Sequence, residues 1–170
     1  MKMILILLGS FLCKGCGQSH SIKTVEKLEL EKYQGIWYEI ARKPFRPEKN
    51  LKNITAEYIL KTNGKIKVIN QGYTSDGKIK RTTGEAFRPH STSPGKLKVK
   101  FFGIFASSYW VIDLDKTNYQ YAVVSGPSGK YLWILSRKPK MDETTLEKLI
   151  KNARLQGLDV SDLIKTEQEW

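Results

Sequence analysis

The stretch Gly35-Ile36-Trp37-Tyr38-Glu39-Ile40-Ala41-Arg42 decides the fold. It is rich in β-branched and aromatic residues, which suit a pleated, half-buried surface. Pro44 and Pro47 follow and end it in a loop. It therefore reads as a strand, and working outward from it gives more of the same. Leu28 to Tyr33, just before it, reads as a short turn of helix. Ile54–Leu60 is the second strand, and Asn63-Gly64 is a hairpin signal leading to Lys65–Gly72. Asp76-Gly77 is a second such signal and leads to Lys78–Arg88. After a loop over Pro89–Gly95 come Lys96–Phe102, Ser107–Leu114, Tyr119–Ser125 and Lys130–Arg137. Eight evenly spaced strands with little between them predict an antiparallel sandwich or an up-and-down barrel.

The strands end at Pro139, and the period then changes. Leu146, Leu149, Ile150 and Ala153 form an apolar stripe at helical spacing. Asp142 and Glu143 suit the positive end of a helix and Gly157 its stop, so one helix over Asp142–Gln156 is expected, packed on the outside of the sheet. Asp162–Thr166 reads as a further edge strand.

A length of 170 residues fits one domain, and the apolar share of 40% is that of an ordinary globular chain. The net charge of +12 admits nucleic acid, an anionic membrane surface, or solubility alone as its reason. Lys65, Lys67, Lys78, Lys80, Lys96, Lys98 and Lys100 recur at i, i+2 within strands, opposite apolar residues. That pattern is first of all a solvated outer face that guards strand edges. Lysines without interleaved aromatic platforms do not make a nucleic-acid surface. Catalysis finds no support either: the only histidines are His20 and His90, and paired carboxylates and metal-ligand spacings are missing. No cofactor or metal is expected. Asn53-Ile54-Thr55 matches a glycosylation acceptor, and is read as chance.

Residues 1–16 read as an export signal: Lys2 precedes an apolar run, Ile4 to Leu12, too short to span a bilayer. Both cysteines, Cys13 and Cys16, close this segment, so no disulfide framework is expected in the body. A cysteine after a short apolar run resembles the lipobox of bacterial lipoproteins. Cys16, preceded by Gly15, is favoured over Cys13 as the acylated residue. Residues 17–27 then form a polar tether and 28–170 the barrel domain. Secretion or periplasmic release without an anchor is the alternative.

Three motifs lie in order along the body. They are Gly35-x-Trp37-Tyr38, the turn Asp115-Lys116-Thr117-Asn118-Tyr119, and Arg137 after the last strand. Together they resemble the signature of the lipocalin family, and the likeness runs from about Leu30 to Trp170. Within the family the chain is most similar to the bacterial outer-membrane lipoprotein lipocalins. The resemblance implies an all-β fold, an eight-stranded up-and-down antiparallel barrel with one C-terminal helix outside. It also implies a fatty acid or lysophospholipid in the cavity, a role in membrane maintenance and an outer-membrane location through the lipid anchor. A secreted carrier of another small hydrophobic ligand is the alternative, and pairing of two copies is left open. In such a barrel Trp37 and Arg137 meet as a cation–π pair at the closed end, so Gly35, Trp37 and Arg137 are structural.

Alternation assigns the faces. If Trp37 points in, so do Glu39 and Ala41. The inward set continues with Ala56, Tyr58 and Leu60, then Ile66, Val68 and Asn70, then Leu97, Val99 and Phe101. It ends with Tyr109 and Val111, and with Trp133 and Leu135. The residues expected to contact ligand are Glu39, Ala41, Ala56, Tyr58, Val68, Asn70, Val99, Phe101, Tyr109, Val111, Trp133 and Leu135. Glu39 stands out, because a buried carboxylate must be paired or protonated, and alternation brings no cation to it.

Overall fold

The computed structural model describes residues 21–89, 93–101 and 105–170. The export signal, Cys13, Cys16, His20 and His90 lie outside the described residues, as do residues 17–20 of the expected tether. The rest of that tether lies along the barrel. Ile22 and Val25 are buried, and the Val25 amide donates to the Val111 carbonyl at 2.9 Å.

The first strand, β1, runs Gly35–Arg42 as expected, after a one-turn helix α1, Leu30–Tyr33. Then come β2 (Lys52–Leu60), β3 (Ile66–Tyr73), β4 (Ile79–Phe87), β5 (Lys96–Phe101), β6 (Phe105–Leu114), β7 (Tyr121–Ser125) and β8 (Leu132–Ser136). Each pairs antiparallel with the next, and β1 pairs with both β8 and β2, which closes an eight-stranded barrel. Closure is what settles barrel against sandwich. The turns at Asn63-Gly64 and Asp76-Gly77 form as the sequence predicts, with Lys61 N–H to Lys65 O at 2.8 Å and Thr74 N–H to Lys78 O at 3.0 Å.

Helix α2, Glu143–Leu155, lies outside the barrel, and Asp142 caps it by accepting the Thr145 amide at 2.8 Å. Leu146, Leu149 and Ala153 pack on Ile40, Ile112, Val123 and Ile134, an outer core on the far side of the wall from the cavity. A bulge in β6 between Val111 and Asp113 turns Asp113 toward the helix, where Asn152 Nδ2 donates to it at 2.8 Å.

The expected edge strand is short. β9, Ile164–Lys165, pairs with Ala41 and Arg42 of β1. β1 and β2 are in register only from Gly35–Tyr38 against Thr55–Tyr58, so their edges part toward the open end. The chain after β9 fills that gap. Thr166 N–H donates to Ile40 O at 2.9 Å, and Gln168 Nε2 reaches both Glu39 O and Ile54 O at 2.8 Å. Asn53 Nδ2 donates to Glu169 O at 3.3 Å, so the side chain of the acceptor-like triplet is engaged in this seam.

Candidate functional site: the barrel cavity

The closed end is built from the signature residues. The Trp37 indole N–H donates to Tyr33 O at 2.8 Å, and the Arg137 guanidinium carbon lies 3.9 Å from the centre of the Trp37 ring. Arg137 also donates to the carbonyls of Lys32 (2.8 Å), Gln34 and Ile36 (both 2.9 Å), capping the barrel floor. Gly35 is needed twice over here. Its φ is +97°, and a β-carbon on it would sit 3.2 Å from Arg137 Nη1. The turn Asp115–Gln120 is held by the Asp115 carboxylate, which accepts the amides of Thr117, Asn118 and Gln120. The Tyr119 carbonyl then accepts from Arg137 at 3.2 Å. All three motifs therefore meet at one end of the barrel.

Above that floor lies an inner chamber of about 210 Å³. It joins an outer one of about 350 Å³ at the mouth, and Phe45, Glu48, Ile54, Asn70 and Phe101 line both. Three phenols form the lower part. Tyr109 shares hydrogen bonds with Tyr33 at 2.7 Å and with Tyr58 at 2.8 Å. Burial pushes the Tyr58 hydroxyl up to about 12, so this end stays uncharged. The middle is aliphatic, with Ala56, Val68, Leu97, Val99, Val124 and Leu135.

Of the residues expected to face the ligand, Glu39, Ala56, Tyr58, Val68, Asn70, Val99, Phe101, Tyr109, Trp133 and Leu135 line the inner chamber. Two do not. Ala41 points outward, because β1 bulges between Glu39 and Ala41 and the alternation flips there. Val111 faces in and is buried, but it lies in the packed floor, where it pairs with Val124 and its carbonyl takes the Val25 amide. Lys80, assigned by spacing to the outer face, lines the mouth chamber instead, opposite Gly72 in the register that carries Asn70 and Thr82 inward. Lining residues that alternation could not supply include Phe45, Glu48 and Tyr131, which come from the connections between strands, where no strand period applies.

The bulge also explains Glu39. It turns Arg42 inward, beside Trp133 in register, and Arg42 Nη1 then donates to Glu39 Oε1 at 3.0 Å. Thr166 Oγ1 donates to the same oxygen. Arg42 Nη2 reaches Glu48 O at 2.9 Å, its Nε stands 3.5 Å from Glu48 Oε2, and Trp133 Nε1 donates to that carboxylate at 3.2 Å. Two carboxyls thus share one guanidinium in a buried collar. Burial first, and then the neighbouring Glu48 charge, hold Glu39 up to about 8. Glu48 is also raised by burial, against the pull of Trp133 and Arg42. A protonated Glu39 leaves less negative charge in the collar for the Arg42 guanidinium to balance. One acceptor remains: among the described residues Asn70 Oδ1 is buried and has no hydrogen-bond donor.

The model of the lipocalin-like domain family matches residues 28–168. The outer membrane lipoprotein Blc of Vibrio cholerae is 42% identical over 171 residues, spanning 99% of this chain and 100% of that protein. The protein of the same name from Escherichia coli K12 is 36% identical, over 99% and 97% of the two chains. Among solved structures, insecticyanin from Manduca sexta superposes with a TM-score of 0.72 at 24% identity, covering 87% of this chain and 85% of its own.

Proposed function

This chain is a lipocalin of the Blc type, and from that membership we propose that its barrel carries a single-chain lipid, a fatty acid or lysophospholipid, in the bacterial envelope. The observation that carries the reading is the cavity itself. It has an uncharged phenolic floor, an aliphatic shaft and a polar collar, which match the tail and head of an amphiphile. Taken together, its two chambers fall within the ~300–1,000 Å³ of small-molecule sites. A ~16-carbon tail gains ~0.8 kcal/mol per buried CH₂, or ~13 kcal/mol gross. Association costs ~4–15 kcal/mol, which leaves room for micromolar or tighter binding. Asn70 Oδ1 calls for a donor, and a glycerol hydroxyl or ammonium of a lysophospholipid supplies one where a carboxylate does not. The protein acts as a binder and not as a catalyst.

Titration of the delipidated full chain with a lysophospholipid is expected to give a saturable quench of tryptophan fluorescence, dominated by Trp133 in the cavity wall. A flat titration overturns the lipid-carrier reading. The relatives' names as outer membrane lipoproteins support an acylated Cys16 as the anchor. Cys16→Ser should move the protein from the salt-washed membrane fraction to the soluble one, and unchanged retention rejects that anchor.

A further inference from the structure

An aromatic cluster stands at the cavity mouth. Phe45 lies 5.5 Å from both Tyr131 and Trp133, ring centre to ring centre, and Tyr131 stacks on Trp133 at 5.8 Å. All three line the cavity, yet Tyr131 is 37% exposed, so one aromatic surface runs from the inside of the barrel to its outside. Pro44 and Pro47 stand exposed beside it.

Charge at this end is sorted. The acids there have cations: Asp159 and Asp162 hold Lys43, Glu167 and Glu169 face Lys52, Asp76 pairs with Lys78, and Glu48 is in the collar with Arg42. Arg46, Lys49 and Lys130 are exposed and make no ion pair among the described residues. Lys130 lies over the Tyr131 ring, 5.5 Å from its centre. Aromatic rings with one apolar face, interleaved with unpaired cations, are the chemistry of a membrane–water interface.

The direction of the chain agrees. Ile22 shares a surface recess with Lys43, Gly129 and Lys130, so the described chain begins at the mouth end and runs from there toward the closed end, where Thr24 meets Ser93. An N-terminal anchor would hold the mouth, and not the closed end, toward the bilayer.

We propose that the rim formed by Phe45, Tyr131, Arg46, Lys49 and Lys130 docks on the surface of an anionic phospholipid bilayer, so that lipid passes between membrane and cavity along the aromatic surface without crossing water. The rings enter the interface and the three cations meet phosphate groups. The proposal rests on the cavity being a lipid site. Titration with lysophospholipid in free solution tests that reading alone, and vesicles test the rim alone.

The experiment uses the full chain with Cys13 and Cys16 both changed to Ser, so that no acyl anchor contributes. Its partition onto vesicles of phosphatidylcholine alone is compared with that onto vesicles containing phosphatidylglycerol. Binding is expected only to the anionic vesicles. Each rim cation near the surface accounts for about a fivefold change in partition, so removing three gives a loss on the order of a hundredfold, and the combined R46E, K49E and K130E variant, which also reverses each charge, should lose at least that much. Tyr131→Ser should weaken binding with no change in charge. A variant with the same charge change on the outer face of the strands, K67E with K98E and K100E, should bind within about threefold of the parent. Equal losses in the two charge variants would mean that net charge, not the rim, drives binding. That result, or parent binding no stronger to anionic than to neutral vesicles, overturns the proposal.

Discussion

Arg42→Ala is expected to cost about 3–5 kcal/mol of folding stability at about pH 9, and much less at about pH 5. Arg42 is only 5% exposed and is the cation within hydrogen-bonding or ion-pair distance of both collar carboxyls. Without it, Glu39 and Glu48 face each other across a buried space with a hydroxyl and an indole N–H for company. The sign of the pH dependence follows from protonation. A carboxyl whose folded pKa lies above its unfolded value adds stability in acid, and loses it as pH rises through the folded pKa. Glu39 does this already in the parent protein, between its ordinary 4.5 and about 8. The variant removes the one positive charge opposing the shift, so its deficit widens with pH. Urea unfolding at the two pH values reads this directly. Adding Glu39→Gln to the variant should return much of the loss at high pH. A deficit that does not change with pH would show that Arg42 acts by packing alone.

The second large effect concerns the ligand. Ala56→Trp is expected to weaken lysophospholipid binding by about a thousandfold while leaving the barrel folded. Ala56 sits opposite Trp37 and Asn70 in register and lines the inner chamber of about 210 Å³. An indole there takes the place of about five methylenes of the lipid tail, at ~0.8 kcal/mol each. Equilibrium dialysis measures the loss, and far-ultraviolet circular dichroism checks the fold. Should the larger ring not be accommodated, Val99→Phe tests the same point with less volume. Unchanged affinity in a folded variant would place the lipid outside the inner chamber.

The sequence carried the barrel further than it carried the site. β1 was legible to the residue, because glycine, aromatics and two prolines bound it on both sides. The inward residues of β2, β3 and β5 followed from alternation, which holds wherever a strand stays regular. In β1 it fails at one residue, between Glu39 and Ala41, and the most consequential pairing in the cavity lies just past that point. A bulge has no fixed sequence mark, so Arg42 read as the last residue of a strand and not as the partner of Glu39. Phe45, Glu48 and Tyr131 were out of reach for a different reason: they sit in connections between strands, where position follows from tertiary packing and no strand period exists to read. The same holds for Thr166, which meets Glu39 across a separation of 127 residues.

That seam between β1 and β2 has a consequence for how the molecule is made. The first strand pairs early with β2 but finds its second neighbour only when β8 and residues 164–168 have arrived, and the Gln168 contact to Glu39 spans 129 positions. A growing chain therefore cannot finish the wall early, since the pairing that closes it is among the most non-local in the molecule. Under the proposed export to the envelope, such lateness would be an advantage: a chain whose barrel is still open can be translocated, and the wall closes only on the far side.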